Sequence, residues 1–471
     1  MTLPNGKRSS GDTLREPRRI AIIGGGPSGA LAGLQLRRLA QEAGRELDVL
    51  IFDRRQFGVT GPRGCNMCAG VVSKWLIARL EEVGVPVPAT AIQRRIQSYT
   101  VVVPGAQVRL PTPPGARIYT AFRSGGPMGE EYGTERSLDH LLLQAAVTAG
   151  AQHVRRVVQT VRLPDDRQGP VVLVDAEGQE HEADAVIGAF GVNSTMRRTF
   201  EELGFGYRAP RTAMAAQCEI RLSPEEIETL FEDGIKCFWL GIPGVSVAAM
   251  VPKERHVTVT LVGRHVGQAD LEQFLRLPEV RAFLPPDWEL ADQYCHCHPR
   301  LPITAARNVV TDRVVVVGDA HVSRYLKNGL DSAFITASLA AEAILAGGVG
   351  RESLRHRYVR PCRALFAWDN RCGRLLFALH GSLGETPSMA AAQMRLVARE
   401  QQSPGPRALS AVLWGMMTGD EAYATVLRWA LSPRLHWRLA WEVIAGRRTP
   451  SPSPLAAGPS GEPTRQEHHG S

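Results

Sequence analysis

The sequence predicts an α/β protein in which a parallel-sheet domain is joined to a second domain of β-sheet and to a helical C-terminal region. Three observations predict it. The stretch Arg19–Asp53 holds a β-branched apolar strand, a glycine-rich turn, a helical pattern and a second apolar strand. A distant strand, Arg313–Ala320, ends in Gly-Asp and precedes an Ala-rich helix, Gly329–Leu345, and residues 351–446 are helical in pattern throughout. The first two observations are the parts of a Rossmann-like domain.

The glycine-rich turn predicts a dinucleotide site. Gly24 lets the chain turn sharply after the strand, Gly26 leaves no side chain between backbone and pyrophosphate, and Gly29 lets the helix pack close to the strand. The N-terminus of the helix then faces the anion. Asp53 ends the second strand, 24 residues beyond Gly29, where a carboxylate can accept hydrogen bonds from ribose hydroxyls. The predicted binding residues of this unit are Gly24, Gly26, Ser28, Gly29, Asp53 and Arg54.

Composition and charge exclude several classes of protein. The chain has 471 residues, of which 44% are hydrophobic and 22% charged, as expected of a globular protein with a large core. The net charge of +8 is spread along the chain without a basic stripe interleaved with aromatic residues, so we expect no nucleic-acid partner. By sequence pattern no apolar run reaches the roughly 18 residues that span a bilayer, and Met1–Pro17 lacks the apolar core of a signal peptide. We therefore expect a cytoplasmic protein.

Sequence-distant strands that return to one nucleotide fold indicate domains assembled from interleaved segments. The predicted boundaries are a disordered N-terminus at 1–17, nucleotide-binding segments at 18–95, 133–210 and 301–350, substrate-domain segments at 96–132 and 211–300, a helical region at 351–446, and a disordered tail at 447–471.

The glycine fingerprint does not distinguish FAD from NAD, but the distant Gly318-Asp319 strand end does. An NAD-binding domain completes its site within one doubly wound unit. A flavoprotein uses a second strand end, because a carboxylate such as Asp319 can bind the ribityl hydroxyls. The amides of Gly329 and Leu330, which open the next helix, can place a positive dipole end beside the flavin pyrimidine. We therefore predict FAD as the cofactor, with Gly318, Asp319, Gly329 and Leu330 in its site.

Several motifs together resemble the FAD-dependent oxidoreductases of the para-hydroxybenzoate-hydroxylase fold. They are the fingerprint, Glu135-Arg136-Ser137-Leu138-Asp139, Ala183-Asp184-Ala185-Val186-Ile187-Gly188-Ala189-Phe190-Gly191 and the Gly-Asp-Ala strand end. The loop Gly64–Ser73, with Cys65 and Cys68, is similar to the cysteine-and-glycine loop of the geranylgeranyl reductase family within that superfamily. The resemblance covers roughly residues 18–350. It implies that Arg136 reaches the flavin diphosphate or ribityl chain; a helix-surface ion pair with Asp139 is the alternative.

Two departures from the family pattern affect the expected donor and substrate site. The superfamily segment usually ends Ala-Asp-Gly, with the aspartate tied to handling of the nicotinamide cofactor, and Phe190 stands in the place of that aspartate. The electron donor is therefore left open between NAD(P)H and a reduced protein carrier. The reductases carry an aromatic-x-aromatic-x-Phe-Pro stretch in the substrate cavity. This chain offers two stretches, Phe238–Pro243 and Met250–Lys253, either of which could be the counterpart, and from them we expect Trp239 and Pro252 to line the substrate.

The cysteines near the expected flavin ring have three interpretations. Cys65 and Cys68 could form a redox pair, or could join Cys295 and Cys297 as ligands of zinc or an iron–sulfur cluster, or could be small thiols packed near a cofactor. Packing is favoured, and no metal is expected. The catalytic candidates are Cys65, Cys68 and His321, which follows Gly-Asp-Ala; a histidine held by backbone hydrogen bonds is the favoured alternative for the last. Lys327 and Asn328 could contact the pyrimidine edge or simply cap the helix.

The segment Arg434–Trp441 combines basic residues with two tryptophans. A helix of this composition could lie in a membrane interface, which would suit a lipid-like substrate. Packing of the tryptophan stripe onto the flavin domain is the favoured alternative, because amphipathic helices usually face a core.

The resemblance implies an FAD-dependent oxidoreductase that reduces carbon–carbon double bonds of a small apolar, isoprenoid-like substrate, with an external electron donor and a peripheral membrane contact. A flavin-dependent monooxygenase or halogenase shares the superfamily motifs and is the second candidate. A non-catalytic flavin-binding redox sensor, in which Cys65 and Cys68 report thiol state, is the third.

Overall fold

The computed structural model describes residues 14, 16–65, 68–129, 133–166, 169–291, 294–384, 386–402 and 407–446. Nearly all of the predicted disordered N-terminus and all of the predicted tail at 447–471 lie outside these residues. The strands are β1 Arg19–Ile23, β2 Asp48–Phe52, β3 Val71–Ser73, β4 Ile92–Ile96, β5 Ser98–Val103, β6 Ala106–Pro111, β7 Ile118–Ala121, β8 Gln152–Val154, β9 Val158–Arg162, β10 Val171–Asp175, β11 Glu180–Ala183, β12 Ala185–Gly188, β13 Thr212–Arg221, β14 Gly234–Phe238, β15 Val245–Pro252, β16 His256–Gly263, β17 His296–Cys297, β18 Arg300–Pro302, β19 Val310–Thr311 and β20 Val314–Val316. The helices are α1 Pro27–Glu42, α2 Lys74–Glu82, α3 Leu138–Thr148, α4 Met196–Glu202, α5 Pro224–Phe231, α6 Gln268–Leu275, α7 Pro278–Arg281, α8 Gly329–Gly347, α9 Arg351–Leu354, α10 Arg360–Gly384, α11 Pro387–Gln402, α12 Ala408–Thr418, α13 Tyr423–Ala430 and α14 Pro433–Gly446.

A six-stranded sheet in the order β19-β20-β12-β1-β2-β8 forms the centre of the first domain. Its strands run parallel except for the edge strand β19. Strands β1, β12 and β20 are short apolar runs buried on both faces, as a parallel sheet covered by helices requires. Helices α1 and α8 pack against each other over this sheet, and Gln35 of α1 donates a hydrogen bond to Ser338 of α8 at 3.2 Å. The predicted Rossmann-like fold is confirmed.

A second sheet, in the order β17-β13-β16-β15-β14-β5-β6, forms the other domain. Alternate residues of its strands face two different cores. One face packs on α5, α6 and α7 through Cys218, Val259 and Met250. The opposite face, which we call the inner face, packs its β14 and β5 side against the C-terminal helices. This sheet therefore lies between a local helical cover and the C-terminal region.

The C-terminal region is helical, as predicted, and consists of α9 to α14. Leu435 and Glu442 of α14 are buried, but Trp437 is 74% exposed and Trp441 57% exposed. The favoured expectation that this tryptophan stripe packs on the flavin domain is therefore wrong for the described residues. The reason is the phase of the helix, since the residues at its buried side are Leu435 and Glu442 rather than the tryptophans.

Helix α8 is long and apolar enough, by length and composition, to cross a membrane. The sequence pattern did not predict this, because we expected no apolar run of that length. Its alanines at 337, 340 and 341 are fully buried, because the helix packs against α1 in the main core. Small side chains permit this close helix contact and make the helix apolar at the same time.

Candidate functional site

The two segments that the sequence predicts to share a cofactor meet in the structure. Strand β12 lies between β1 and β20, so the turns that follow β1 and β20 emerge at the same edge of the sheet. A Cβ atom added to Gly318 would lie 1.9 Å from Ser28 Oγ. The glycine turn and the Gly-Asp turn are thus in direct contact, and a single cofactor can touch both.

The glycine turn has the shape that an anion cradle requires. Gly24 has a φ of +107°, and a Cβ there would lie 2.5 Å from the Ala189 carbonyl oxygen. A Cβ on Gly29 would lie 1.8 Å from the Gly24 carbonyl oxygen, so the helix can approach the strand only without a side chain. No side chain caps the start of α1 at Gly26, and its first-turn N–H groups are oriented for a phosphate. The described residues therefore fit the pyrophosphate of a dinucleotide.

Asp53 is preorganised beside this turn. Its Oδ2 accepts a hydrogen bond from the Gly25 N–H at 2.8 Å, and its Oδ1 accepts one from the Arg55 N–H at 2.9 Å. Burial would raise the pKa of Asp53, but the Arg55 guanidinium and these N–H groups outweigh it and hold the pKa below its usual value. An ionised carboxylate at this place can accept from ribose hydroxyls. Arg54, the predicted neighbour, is exposed, and it is Arg55 that forms the ion pair with Asp53.

Asp319 lies at the second turn, where the predicted ribityl contact would form. Desolvation raises the pKa of its carboxyl, while a hydrogen bond from Ser323 and the charge of Arg123 act in the opposite direction. The next helix, α8, begins at Gly329 without a side-chain cap on its N-terminus. Its amides are therefore available to a ligand, as the predicted contact of Gly329 and Leu330 with the flavin requires.

Arg123 is a residue of the site that sequence reasoning missed. It forms a two-pronged ion pair with the fully buried Asp139, with Nη2 to Oδ2 at 3.0 Å. The Arg123 guanidinium also donates a hydrogen bond to the Cys68 sulfur. Asp139 belongs to the motif that carries the family resemblance, but its partner lies 16 residues earlier, directly after β7. No local sequence pattern predicts an ion pair at that spacing, because the pair forms by tertiary contact between the loop after β7 and helix α3.

Arg136 lies in the same motif and pairs with Glu254. The sequence placed it either on the flavin diphosphate or on Asp139. In the structure Asp139 is held by Arg123 instead. A contact of Arg136 with FAD stays a prediction.

The loop that carries Cys65 and Cys68 lies against the inner face of the second sheet. The Gly70 N–H donates to Cys68 Sγ at 3.4 Å. A Cβ on Gly70 would lie 1.9 Å from the Ala121 carbonyl oxygen and 3.5 Å from Lys253 Cε, so only glycine permits this approach. Asn66 and Met67 of the loop lie outside the described residues. The loop therefore links the cofactor domain to the sheet that would cover the cofactor.

Polar side chains cluster on the β13 and β16 side of the inner face. Lys253, only 1% exposed, lies 3.3 Å from Glu219 and donates to Thr258, whose hydroxyl donates to Glu219 at 2.8 Å. Gln217 donates to Thr260 at 3.0 Å in the same register. Farther along these cross-strand rows the facing residues are apolar, namely Ala249, Val251, Ile235, Cys237 and Val101. The inner face thus has a polar half and an apolar half.

The two cysteine pairs approach each other across this junction. Burial, with smaller contributions from Cys65 and Cys295, raises the pKa of the Cys297 thiol to about 12. Cys297 Sγ also lies 3.7 Å from Gln217 Oε1. Among the described residues, however, no group of three or more His, Cys, Asp or Glu side chains has the arrangement of a metal site. The metal-ligand hypothesis therefore has no support there, and burial also raises the pKa of the Cys295 thiol.

The His321 ring is held by a side-chain hydroxyl rather than by the backbone hydrogen bonds of the favoured alternative. Its Nδ1 lies 2.7 Å from the Tyr358 hydroxyl, which donates in turn to the Val316 carbonyl oxygen at 2.7 Å. Because the hydroxyl hydrogen of Tyr358 is used in that bond, Nδ1 of His321 carries a hydrogen and donates a hydrogen bond to the Tyr358 oxygen. Burial lowers the pKa of His321 to about 3, so the ring is neutral near pH 7. These contacts favour a positioning role for His321 over proton transfer.

The loop before α8 is held by the C-terminal helices. Asn328 donates to the Gly419 carbonyl oxygen at 3.1 Å, and Arg324 donates to the carbonyl oxygens of Gly419 and Glu421 and pairs with Asp369 at 3.2 Å. Lys327 lies close to Cys237, and desolvation lowers its pKa. Thus Asn328 serves to anchor the loop, while a contact of Lys327 with the cofactor stays a prediction.

A cavity of about 730 Å³ lies between α2, the segment that joins β6 to β7, and the C-terminal helices. Its wall is mainly aromatic and apolar with basic and acidic residues at intervals, and includes Trp75, Pro111, Arg117, Arg407, Trp414, Asp420, Glu421 and Trp429. Trp75 packs edge-on against Phe334 of α8, with ring centroids 5.7 Å apart. The predicted substrate-lining residues lie elsewhere. The ring centroids of Trp239 and His380 are 4.0 Å apart, and the Pro252 carbonyl oxygen accepts a hydrogen bond from the Thr120 hydroxyl.

Comparisons with known proteins agree with this geometry. Residues 18–323 match the family model described as FAD binding domain. The chain is 23% identical over 385 residues to geranylgeranyl diphosphate reductase, chloroplastic, of Nicotiana tabacum, covering 78% of this chain and 74% of that protein. It is 28% identical over 258 residues to Protein FixC of Escherichia coli K12, covering 50% of this chain and 56% of FixC, so it spans little more than half of that relative.

Solved structures share the fold at low identity. A flavoprotein/dehydrogenase from Cytophaga hutchinsonii superposes with a TM-score of 0.61 at 15% identity, over 91% of this chain and 99% of that one. A mutant of the flavin-dependent brominase Bmp2 gives 0.58 at 15% identity, over 87% and 97%. The expected superfamily and the expected cofactor are confirmed, because the family model covers both the glycine turn and the Gly-Asp turn. The chain therefore belongs to the FAD-binding domain family, and it is an FAD-dependent oxidoreductase.

Proposed function

We propose that the protein reduces carbon–carbon double bonds of an apolar, isoprenoid-like substrate. The observation that carries the proposal is the large, mainly aromatic and apolar cavity whose wall residue Trp75 packs on Phe334 of α8, the helix whose N-terminus is predicted to meet the flavin. A cavity of about 730 Å³ has the size of a small-ligand site. The similarity to geranylgeranyl diphosphate reductase, which includes most of the chain, supports the same substrate class.

Bound FAD would supply a hydride to one alkene carbon, and a proton would reach the other carbon. The chain's own residues hold the cofactor and exclude water. The glycine turn binds the pyrophosphate, Asp53 the ribose, and Asp319 the ribityl chain. The N-terminus of α8 stabilises negative charge on the pyrimidine side. Cys65 and Cys68 are the remaining candidates for the proton source, since the neutral His321 is held by Tyr358.

The electron donor in this proposal is a reduced protein carrier rather than NAD(P)H. Phe190 occupies the place where the superfamily handles the nicotinamide cofactor. Its ring lies 4.7 Å from that of Phe200 and 6.3 Å from that of Tyr207. An aromatic cluster of this kind packs a core and offers no hydrogen bond to a nicotinamide. A cytoplasmic protein with a peripheral membrane contact, to which the exposed Trp437 and Trp441 could contribute, would have access to an apolar substrate.

An oxygen-free single turnover tests the proposal. Purified FAD-loaded protein is reduced with dithionite and mixed with geranylgeranyl diphosphate, and the products are read by mass spectrometry. We expect product that has gained one pair of hydrogen atoms for each flavin that is reoxidised. Product that forms only with oxygen and carries an added oxygen or halogen atom would assign the monooxygenase or halogenase alternative and overturn the reductase.

The same experiment separates the non-catalytic alternative. A redox sensor would keep its flavin and turn over none of the substrate in either condition. Cys68→Ser would then abolish thiol-dependent binding to a partner while leaving FAD content unchanged. In the reductase, the same variant changes the rate of flavin reoxidation by substrate.

A further inference from the structure

The outer face of helix α10 combines exposed apolar residues with arginines. Leu365, Trp368, Leu375 and Leu379 are 54%, 64%, 48% and 40% exposed among the described residues. Their spacing of three, seven and four residues places them along one side of the helix. Soluble proteins usually scatter exposed apolar residues singly, so a continuous stripe indicates a surface that another phase or molecule covers.

Arginines lie beside this stripe along the same helix. Arg360, Arg363, Arg371 and Arg374 are all exposed, and their spacing places them on the side next to the apolar residues. The α10 outer face is defined here as these four arginines and the four apolar residues. Within 351–384 the acidic residues are Glu352 and Asp369, and Asp369 is engaged by Arg324. The face is therefore strongly positive as well as apolar.

We infer that the α10 outer face binds the surface of a bilayer that contains anionic lipid. A helix with an apolar stripe and flanking arginines lies in the interface plane, where the apolar side chains enter the acyl boundary and the arginines contact phosphate groups. Lipid supplies both the apolar medium and the negative charge that this face lacks. Trp368 is of the residue type enriched at the level of the headgroups.

A second copy of the chain fits this face less well. A twofold contact brings the same patch of both copies together, and the four arginines of one copy would then face those of the other. Like charges held in a desolvated contact oppose association. The C-terminal tail offers little apolar cover either, because residues 449–471 contain a single large aliphatic side chain, Leu455.

The inference rests on the proposed function for its purpose, since an apolar substrate would be taken from a bilayer. Its test is independent of that function, because the binding measurement uses no substrate. Purified FAD-loaded protein is sedimented with vesicles of phosphatidylcholine alone and with vesicles of equal parts phosphatidylcholine and phosphatidylglycerol. We expect binding to the mixed vesicles only, and loss of binding at high salt, where the screening length falls from about 10 Å to about 3 Å.

Two variants and a matched control assign the binding to this face. Trp368→Glu with Leu375→Glu should reduce binding to mixed vesicles about tenfold or more, because it removes apolar contact and adds charge that the lipid repels. Arg363→Gln with Arg371→Gln should weaken binding about tenfold and reduce its salt dependence. Val157→Glu, also at an exposed apolar residue, should bind like the wild type. Retained FAD content in each variant shows that the fold is intact.

Two results would overturn the inference. One is equal binding of the wild type and the Trp368→Glu, Leu375→Glu variant to the mixed vesicles. The other is absence of vesicle binding together with a dimer, measured by light scattering, that this variant converts to a monomer; that result would assign the face to a second copy.

Discussion

At the scale of single residues, the cofactor site depends on places where a side chain has no room. A Cβ on Gly29 would lie 1.8 Å from the Gly24 carbonyl oxygen. We expect Gly29→Ala to lose FAD on desalting and to lower the free energy of unfolding by at least about 3 kcal/mol, because backbone must move. Gly44→Ala is the control, since Gly44 has a positive φ but nothing within 4 Å. It should cost about 1 kcal/mol and retain FAD; equal FAD retention by both variants would contradict this account.

The buried pair of Arg123 and Asp139 gives a second prediction for single residues. Asp139 is fully buried, so Arg123→Leu leaves its charge without a partner. We expect this variant to lose about 3–5 kcal/mol of stability in urea unfolding. The double variant Arg123→Leu, Asp139→Leu should recover much of that loss, because an apolar pair needs no compensation. Simple additivity of the two single losses would show that the pair is not coupled.

At the scale of elements, the loop before α8 is held by the C-terminal helices. Arg324 reaches α12 and α13 through Gly419 and Glu421 and stacks over the Tyr423 ring at 4.3 Å. We expect Arg324→Met to weaken FAD binding about tenfold, or about 1.4 kcal/mol, because the loop beside Asp319 is then less ordered. Titration of the apoprotein with FAD, followed by flavin fluorescence, measures the change. Arg307→Met, at an exposed position, should bind FAD like the wild type.

At the scale of the whole molecule, three histidines with lowered pKa values, two of them buried and one half-buried, make stability fall in acid. Burial lowers the pKa of His321 and His256 to about 3 and that of His380 to about 4. The unfolded chain takes up these protons near pH 6.5 while the folded protein does not, so the stabilisation is complete above about pH 6.5 and is lost as the pH falls toward 3. Each histidine contributes a slope of up to about 1.4 kcal/mol per pH unit in that window.

Unfolding measured from pH 7 to pH 4 checks this expectation. Glutamine cannot take up the proton. His321→Gln should therefore lower the slope of the unfolding free energy against pH by up to about 1.4 kcal/mol per pH unit relative to the wild type, which is the contribution of one proton. An unchanged slope would show that His321 is protonated in the folded protein.

The sequence predicted those parts of the molecule that local chemistry dictates. The glycine turn, the Gly-Asp strand end and the C-terminal helices are each determined by contiguous residues. The turns depend on the backbone conformation of glycine, and the helices show the helical period of apolar residues. Arg123 was missed because its pairing with Asp139 is made by tertiary contact. The exposure of Trp437 and Trp441 was also missed, since an amphipathic pattern shows which residues share a face but not what that face meets.

The order of the central sheet has a consequence for synthesis on the ribosome. Strand β12 pairs with β1 on one side, but its other neighbour, β20, is translated more than a hundred residues later. During that interval the nascent chain presents an apolar strand edge, which is the kind of surface that aggregates or recruits chaperones. Heterologous expression at lower temperature, with slower accumulation of unfinished chains, should therefore raise the yield of yellow, flavin-loaded protein.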